Sequence, residues 1–190
     1  MAPVAPQPVM FLRRHLWLLL LSVWLQTGTA YGQPVLEVRV KDHRDAIGDF
    51  VRLMLSIEQL RVSPRSGIRL WRQEWRDLSP VRESLDLTQY VGRRSAAIFR
   101  GEVAAGAYDG VHLKVKTVTG VLKNGRPVPV KSLLGPVKLA FEARDKSETV
   151  VILDLTVLDM SDHPPRGYEL GLKGYEVYTN GKLVDRIPPA

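Results

Sequence analysis

Three aspartates, Asp42, Asp45 and Asp49, fall within eight residues of one another. Short-spaced aspartates on a loop can supply several of the roughly six to eight oxygens that calcium takes, so this turn is the candidate metal site. Asp159 and Asp162 make a second acidic stretch. The spacing matches no calcium-loop motif, and Arg44 interrupts the first cluster. Aspartate also caps turns by accepting nearby backbone N–H groups, and that ordinary role competes with an ion.

Trp71 and Trp75 lie in phase on an expected strand over residues 68–78, with Gln73 between them. Coplanar exposed aromatics stack on sugar rings, and Arg69, Arg72 and Arg76 beside them favour an acidic glycan. Trp71, Trp75 and Arg72 are therefore the candidate ligand-binding residues. Core packing competes, since an aromatic side chain buries roughly 150–250 Å². His43, His112 and His163 are far apart, with no two-histidine metal spacing. His112 falls on the outward face beside Lys114 and Lys116. There is no Gly-x-Ser-x-Gly elbow, phosphate loop or dinucleotide fingerprint. No catalytic residue is assigned.

The elements that must position these residues begin after an address. Residues 1–32 contain no acid. Arg13, Arg14 and His15 precede an apolar run from Leu16 to Leu25, about half the roughly 20 residues of a membrane-spanning helix. Small residues then allow cleavage after Gly32 or after Ala30. This order is that of a secretory signal peptide. Met10 opens a more usual signal than the Pro-rich residues 1–9, and translation is expected to begin there. The two arginines brush the twin-arginine export pattern, but the very apolar run favours the general secretory route.

The whole chain has 190 residues, a net charge of +7 and no cysteine. Disulfide scaffolds, thiolate metal sites and cysteine nucleophiles are excluded. Loss of residues 1–32 removes two arginines and lowers the basic excess to five. The remaining Lys and Arg are scattered singly or in pairs, not gathered into the patch a nucleic-acid binder uses. Nucleic acid is not an expected partner.

From Gln33 onward the dominant signal is alternation with period two. Leu36, Val38 and Val40 face one way. Val51, Leu53, Leu55 and Ile57 follow, and the phase then slips to Leu60 and Val62, as a β-bulge near Glu58–Gln59 would cause. Val111, Leu113, Val115 and Thr117 point inward. Val137, Leu139 and Phe141 alternate with Lys138, Ala140 and Glu142. Val150–Val157 is more continuously apolar and suits a central strand covered on both faces. Ser95–Phe99 can form one helical turn confined by Gly92 and Gly101. Asn124-Gly125 and Asn180-Gly181 are hairpin turns in which both positions tolerate positive φ. Ala105–Tyr108 is structural, a glycine entry with a packed tyrosine. The reading is all-β: an antiparallel β-sandwich, immunoglobulin-like or prealbumin-like, of roughly eight to ten strands behind a signal peptide. Residues 33–190 form a single domain.

The order of these motifs resembles a known family. It runs Val38–Asp42 with Asp45 and Asp49, Val51–Val62, Trp75–Leu78, Leu85–Leu87, Ala105–Leu113, Asn124–Val130 and Leu153–Leu155. This is similar to the exported bacterial and archaeal family catalogued as domain of unknown function 4382, over residues 35–158. The resemblance implies a β-sandwich on the cell exterior and no established activity. The chain lacks the lipobox cysteine of many members and adds a hairpin over residues 168–187.

The expectation is an exported protein, periplasmic, on the cell surface or secreted, without a membrane span after cleavage. It would be a binding module for a polysaccharide or an envelope protein. A structural partner in an envelope complex is the alternative, and an unrecognised hydrolase the third reading. No cofactor is expected beyond the candidate calcium.

Overall fold

The computed structural model describes residues 32–65, 74–163 and 167–188. Eleven strands occur among them: β1 (Val35–Asp42), β2 (Phe50–Pro64), β3 (Arg76–Leu78), β4 (Ser84–Asp86), β5 (Ala96–Glu102) and β6 (Gly106–Leu122). They continue with β7 (Pro127–Ser132), β8 (Val137–Ala143), β9 (Glu148–Asp159), β10 (Tyr168–Thr179) and β11 (Lys182–Ile187). Two short 3₁₀ turns, Ala46–Asp49 and Leu87–Gln89, complete the described elements. The protein is all-β, as the alternation predicts.

β9 lies between β1 and β10. β5 pairs the other edge of β1, while β7 and β11 share the other edge of β10. In the second half, β6 pairs β2 on one edge and β7 and β8 on the other, and β3 and β4 pair β2. β7 bonds to both β6 and β10 and so joins the halves into one sheet. The sheet is mixed, not antiparallel throughout, because β1–β9 and β7–β10 are parallel. A parallel neighbour needs a long crossover, and the chain between β1 and β9 supplies the whole second half of the domain.

One buried cluster draws on both halves, with Leu36, Val38, Val40, Leu153 and Leu155 from one and Leu53, Leu60, Val111 and Leu113 from the other. Three of the four slips along the β2–β6 ladder keep it apolar. Ile57 faces Val115 and Gln59 faces Lys114, so Glu58 is the extra residue, where the sequence places it. Leu60 and Val62 then return to the core. Val51 is a second extra residue, since Phe50 faces Leu122 and Arg52 faces Val121. Val51 is exposed and Phe50 takes the core position, against the expected phase. On β6, Ser56 faces Thr117 and Ile57 faces Val115, which leaves Lys116 extra. Thr117 is therefore turned out and Val118 in. A single-strand pattern cannot show which partner carries the bulge.

Other local expectations meet tertiary context. Ser95–Phe99 is not a helical turn: Ala96 starts β5, because the edge of β1 offers hydrogen bonds and Ala96 and Ile98 reach the core. Of the expected strand over residues 68–78, only Arg76–Leu78 is strand among the described residues. Asn180 and Gly181 both have positive φ (48° and 76°), the two-residue hairpin turn expected. At the other turn only Gly125 does (81°), and the Asn124 side chain instead accepts the Arg126 N–H. Tyr108 is buried, stacks on Phe141 and donates its hydroxyl to the Ala104 carbonyl, a structural role as read. β10 runs unbroken from Tyr168 to Thr179 with a slip at Lys173.

Gly120 packs against the buried Phe50 ring, which a Cβ there would overlap, whereas a Cβ at Gly171 meets nothing within 4 Å. Gly120→Ala is expected to lower unfolding free energy in urea by about 1–3 kcal/mol, the usual cost of overpacking, and Gly171→Ala to leave it within about 0.5 kcal/mol.

Candidate functional site

The aspartates of the first turn do not gather. Asp42 ends β1 in phase with Leu36, Val38 and Val40 and is fully buried. Its Oδ1 accepts the Arg44 N–H, the turn-capping role that competes with an ion. Asp45 accepts the Thr156 hydroxyl from β9, with Lys173 Nζ 3.7 Å away. The Thr156 bond, and then Lys173, hold the Asp45 carboxyl below its ordinary range. Asp49 accepts the Tyr168 hydroxyl at 3.2 Å. Among the described residues no three His, Asp or Glu side chains stand where they could hold a metal ion.

Trp71 and Arg72 lie outside the described residues. Trp75 precedes β3 and is half-buried, with its ring 5.7 Å from the His112 ring and 5.9 Å from the Arg61 guanidinium carbon. Arg61 and His112 are paired across β2 and β6. His112 is therefore not free on an outward face. Burial, then Arg61 and Lys114, lower its pKa, and Arg61 Nη2 lies 3.3 Å from Nδ1, which accepts when the ring is neutral.

A different place gathers charged groups. Past the end of β1 lies a cleft of about 290 Å³ lined by Lys41, His43, Arg44, Arg93, Arg186 and Asp154, with Gly92. The sheet register builds it. Lys41 of β1 faces Asp154 of β9, and Glu176 of β10 faces Arg186 of β11. His43 N–H donates to the Leu155 carbonyl and fixes the chain leaving β1. Asp42 N–H donates to Tyr90, and Gly92 N–H donates back to Asp42, which brings Arg93 alongside. Arg44 has φ 88°, a conformation that costs a residue with a side chain about 1–3 kcal/mol. Gly92, at φ 69°, leaves the space its guanidinium fills, and a Cβ there would overlap it.

Charge in the cleft is unevenly matched. Asp154 is 5% exposed, and its Oδ2 lies 3.4 Å from Lys41 Nζ and 3.3 Å from His43 Nδ1. Its Oδ1 is buried without a hydrogen-bond partner. Lys41 also reaches Glu176 at 3.1 Å. Burial pushes the Glu176 carboxyl up, but the Tyr178 hydroxyl, Lys41 and Arg186 outweigh it and hold the group below its ordinary range. Arg44, Arg93 and Arg186 form no side-chain ion pair or hydrogen bond among the described residues. Arg44 and Arg93 are thus open to an acidic group, with Arg186 already close enough to Glu176 to lower its pKa, and the forked donors of arginine suit carboxylate or phosphate.

Of these residues, the sequence reading singled out only His43 and Arg44, and neither as a ligand group. Lys41, Arg93 and Arg186 carry no local signal, because three separate pairings bring them together. Asp154 does carry one: an acid inside the apolar run Val150–Val157.

The chain is thus an all-β domain with a mixed sheet and a basic cleft at one end of its central strands. It belongs to the family described as domain of unknown function 4382, whose match spans residues 35–169. The match reaches past the expected limit of 158 and ends at the start of β10, so most of the last hairpin lies beyond it. No curated protein and no solved structure matches the chain.

Two titrations follow from these environments. Burial pushes the Asp42 carboxyl up to about 6, with the Arg44 N–H opposing and Asp154 and Asp45 adding. Its folded pKa exceeds the unfolded value, so its protonation stabilises the fold below about pH 4, and this contribution fades as pH rises through 6. Asp42→Asn keeps the acceptor for Arg44 and removes the buried charge. In urea titrations it should be more stable than wild type by about 1–3 kcal/mol at pH 8, with the difference vanishing at pH 4. His112 is shifted the other way. Its imidazole resonances should titrate with a midpoint below the ordinary 6.5, and its contribution to stability should fall as pH drops through that midpoint.

Proposed function

We propose that the protein is an exported binding module of the cell envelope or its surroundings, which holds an acidic polysaccharide or an acidic protein surface by the cleft beyond β1. The observation that carries this reading is the gathering of Arg44, Arg93 and Arg186 with Lys41 on one cleft, where a single buried carboxylate, Asp154, is the only acid in the lining among the described residues. Such a field also draws anionic partners in from solution. The basic, apolar and small-residue order of residues 1–32 supports export. No helix of the described residues is long and apolar enough to cross a membrane. A β-sandwich bridged by β7 is the arrangement this reading takes, supported by one core drawn from both halves. No catalytic residue and no cofactor enter it.

A second reading, a structural partner in an envelope complex, draws on β11. Among the described residues that strand pairs only β10, and it exposes Leu183, Val184 and Ile187. An uncovered edge with apolar side chains is a surface to which another strand can add.

Retention on immobilised polymers separates the two. The purified protein should be held by polygalacturonate and pass through neutral dextran, and added salt should release it. Changing Arg44, Arg93 and Arg186 together to alanine should weaken retention by about tenfold or more. Equal behaviour on both polymers would overturn the acidic-ligand reading. Co-purification with an envelope protein in fixed stoichiometry, undisturbed by the triple change, would favour the structural one.

A further inference from the structure

Behind the basic lining of the cleft stands a buried acid, Asp42, and it joins the two sides. Its N–H donates to the Tyr90 carbonyl and its carbonyl accepts the Gly92 N–H, which seats the loop of Arg93. Its Oδ1 accepts the Arg44 N–H, which seats the turn. Its Oδ2 is buried without a hydrogen-bond partner. The residue is wholly withdrawn from water, in phase with Val38 and Val40, while Lys41 and His43 alternate to the cleft side. A carboxylate so placed has lost its hydration and regained one hydrogen bond. Its charge is costly, and a proton removes that cost.

Charged groups reach Asp42 from each neighbouring element. Asp154 of β9 is a second buried carboxylate, it favours the proton on Asp42, and it lines the cleft itself. Asp45 acts in the same sense and His43 against it. Lys41, beside Asp42 on β1, is held by Asp154 and by Glu176 of β10, and Lys173 of β10 lies against Asp45. Arg44, bonded to Asp42, and Arg93, next to the bonded Gly92, carry their guanidiniums to the cleft. An anion held by them lies about a side chain's length from the Asp42 carboxyl. At such separations two charges in a protein alter each other's equilibria several-fold.

We infer that the cleft beyond β1 is a proton-linked anion site: an acid group settles among Arg44, Arg93 and Arg186 more tightly when Asp42 carries a proton. This rests on the binding-module reading above and names the regulation of that site. The sign follows from charge. Ionised Asp42 repels the ligand from behind the lining and protonation ends the repulsion, so affinity rises as pH falls through about 6. The linkage is reciprocal, so a bound anion raises the Asp42 pKa by the same factor. The ligand that benefits keeps its own charge in mild acid, as a uronate, a sulfate ester or a phosphodiester does. His43 lines the cleft, and an imidazole gains charge over the same range, so it adds to the trend with the same sign.

The probe is inorganic sulfate, which stays fully charged across the range tested. Amide NMR titrations of the purified protein at constant ionic strength should show sulfate bound about fivefold or more tighter at pH 5 than at pH 8. Arg93→Ala, on an exposed loop, should weaken it by about threefold or more at pH 5, which locates the sulfate in the cleft. Asp42→Asn should bind it about threefold or more tighter than wild type at pH 8, and His43→Gln should keep at least about a threefold difference between the two pH values. In the wild type, where no variant has to fold, the midpoint of the Asp42 carboxyl carbon signal should rise by about half a pH unit in saturating sulfate. The inference is overturned if sulfate binds equally at both pH values or not at all, if Arg93→Ala leaves its affinity unchanged, if the Asp42 midpoint stays put, or if Asp42→Asn keeps the wild-type pH dependence. Retention on polygalacturonate without that pH dependence sinks this inference alone. Loss of retention sinks the module reading with it.

Discussion

The burial of β9 constrains everything around the cleft. The strand is paired on both edges, to β1 and β10, and its side chains from Val151 to Val157 are almost all withdrawn from water. Such a strand tolerates polar groups only where partners are supplied. Asp154 and Thr156 are the two it carries near its end. Lys41, its register partner on β1, and His43 serve Asp154, while Asp45 takes the Thr156 hydroxyl. The turn leaving β1 is thereby tied to β9 by the very groups that make β9 tolerable. The backbone bonds of Asp42 with Tyr90 and Gly92 bring the loop carrying Arg93 beside that turn, and the cleft lies between them.

Asp42 shows how close this end of the sheet runs to electrostatic imbalance. It occupies a core-facing position, with one oxygen given to the Arg44 backbone and the other without a partner. A carboxyl there holds its proton more readily than one in water. The same backbone bond places Arg44 in a left-handed conformation beside Gly92. Local strain, a buried acid and an unpaired guanidinium thus sit within three residues. Clustering of that kind, where local rules are broken together, is what binding sites accumulate.

Membership in a family without an assigned activity gives the chain an architecture and leaves its chemistry to the site. The last hairpin lies mostly outside the family match, yet it supplies Glu176 and Arg186 to the cleft region. The cleft therefore straddles the limit of the match: β1, β9 and the loops carrying Arg44 and Arg93 fall within residues 35–169, and β11 falls beyond them. A domain that keeps its core and varies a peripheral strand can change ligand without changing fold.

The all-β class, the core face of β1, the bulge at Glu58 and the central place of β9 were legible from residue order, because alternation and turn chemistry are local and each residue carries its own share of the signal. The same local reading misplaced Val51 and Thr117, since their bulges lie at the ends of an apolar run, where no later residues of that run show the change of phase that marks Glu58. It also gathered Asp42, Asp45 and Asp49 into one site, where the fold sends them to Arg44, Thr156 and Tyr168. Sequence neighbours on a turn diverge when each finds a different strand. Conversely Lys41, Arg93, Asp154 and Arg186, spread over most of the chain, become neighbours only through the parallel β1–β9 register and the β10–β11 hairpin. Which strands pair, and in which direction, depends on loop closure and shared burial across the whole domain, so tertiary structure alone decided where the charges meet.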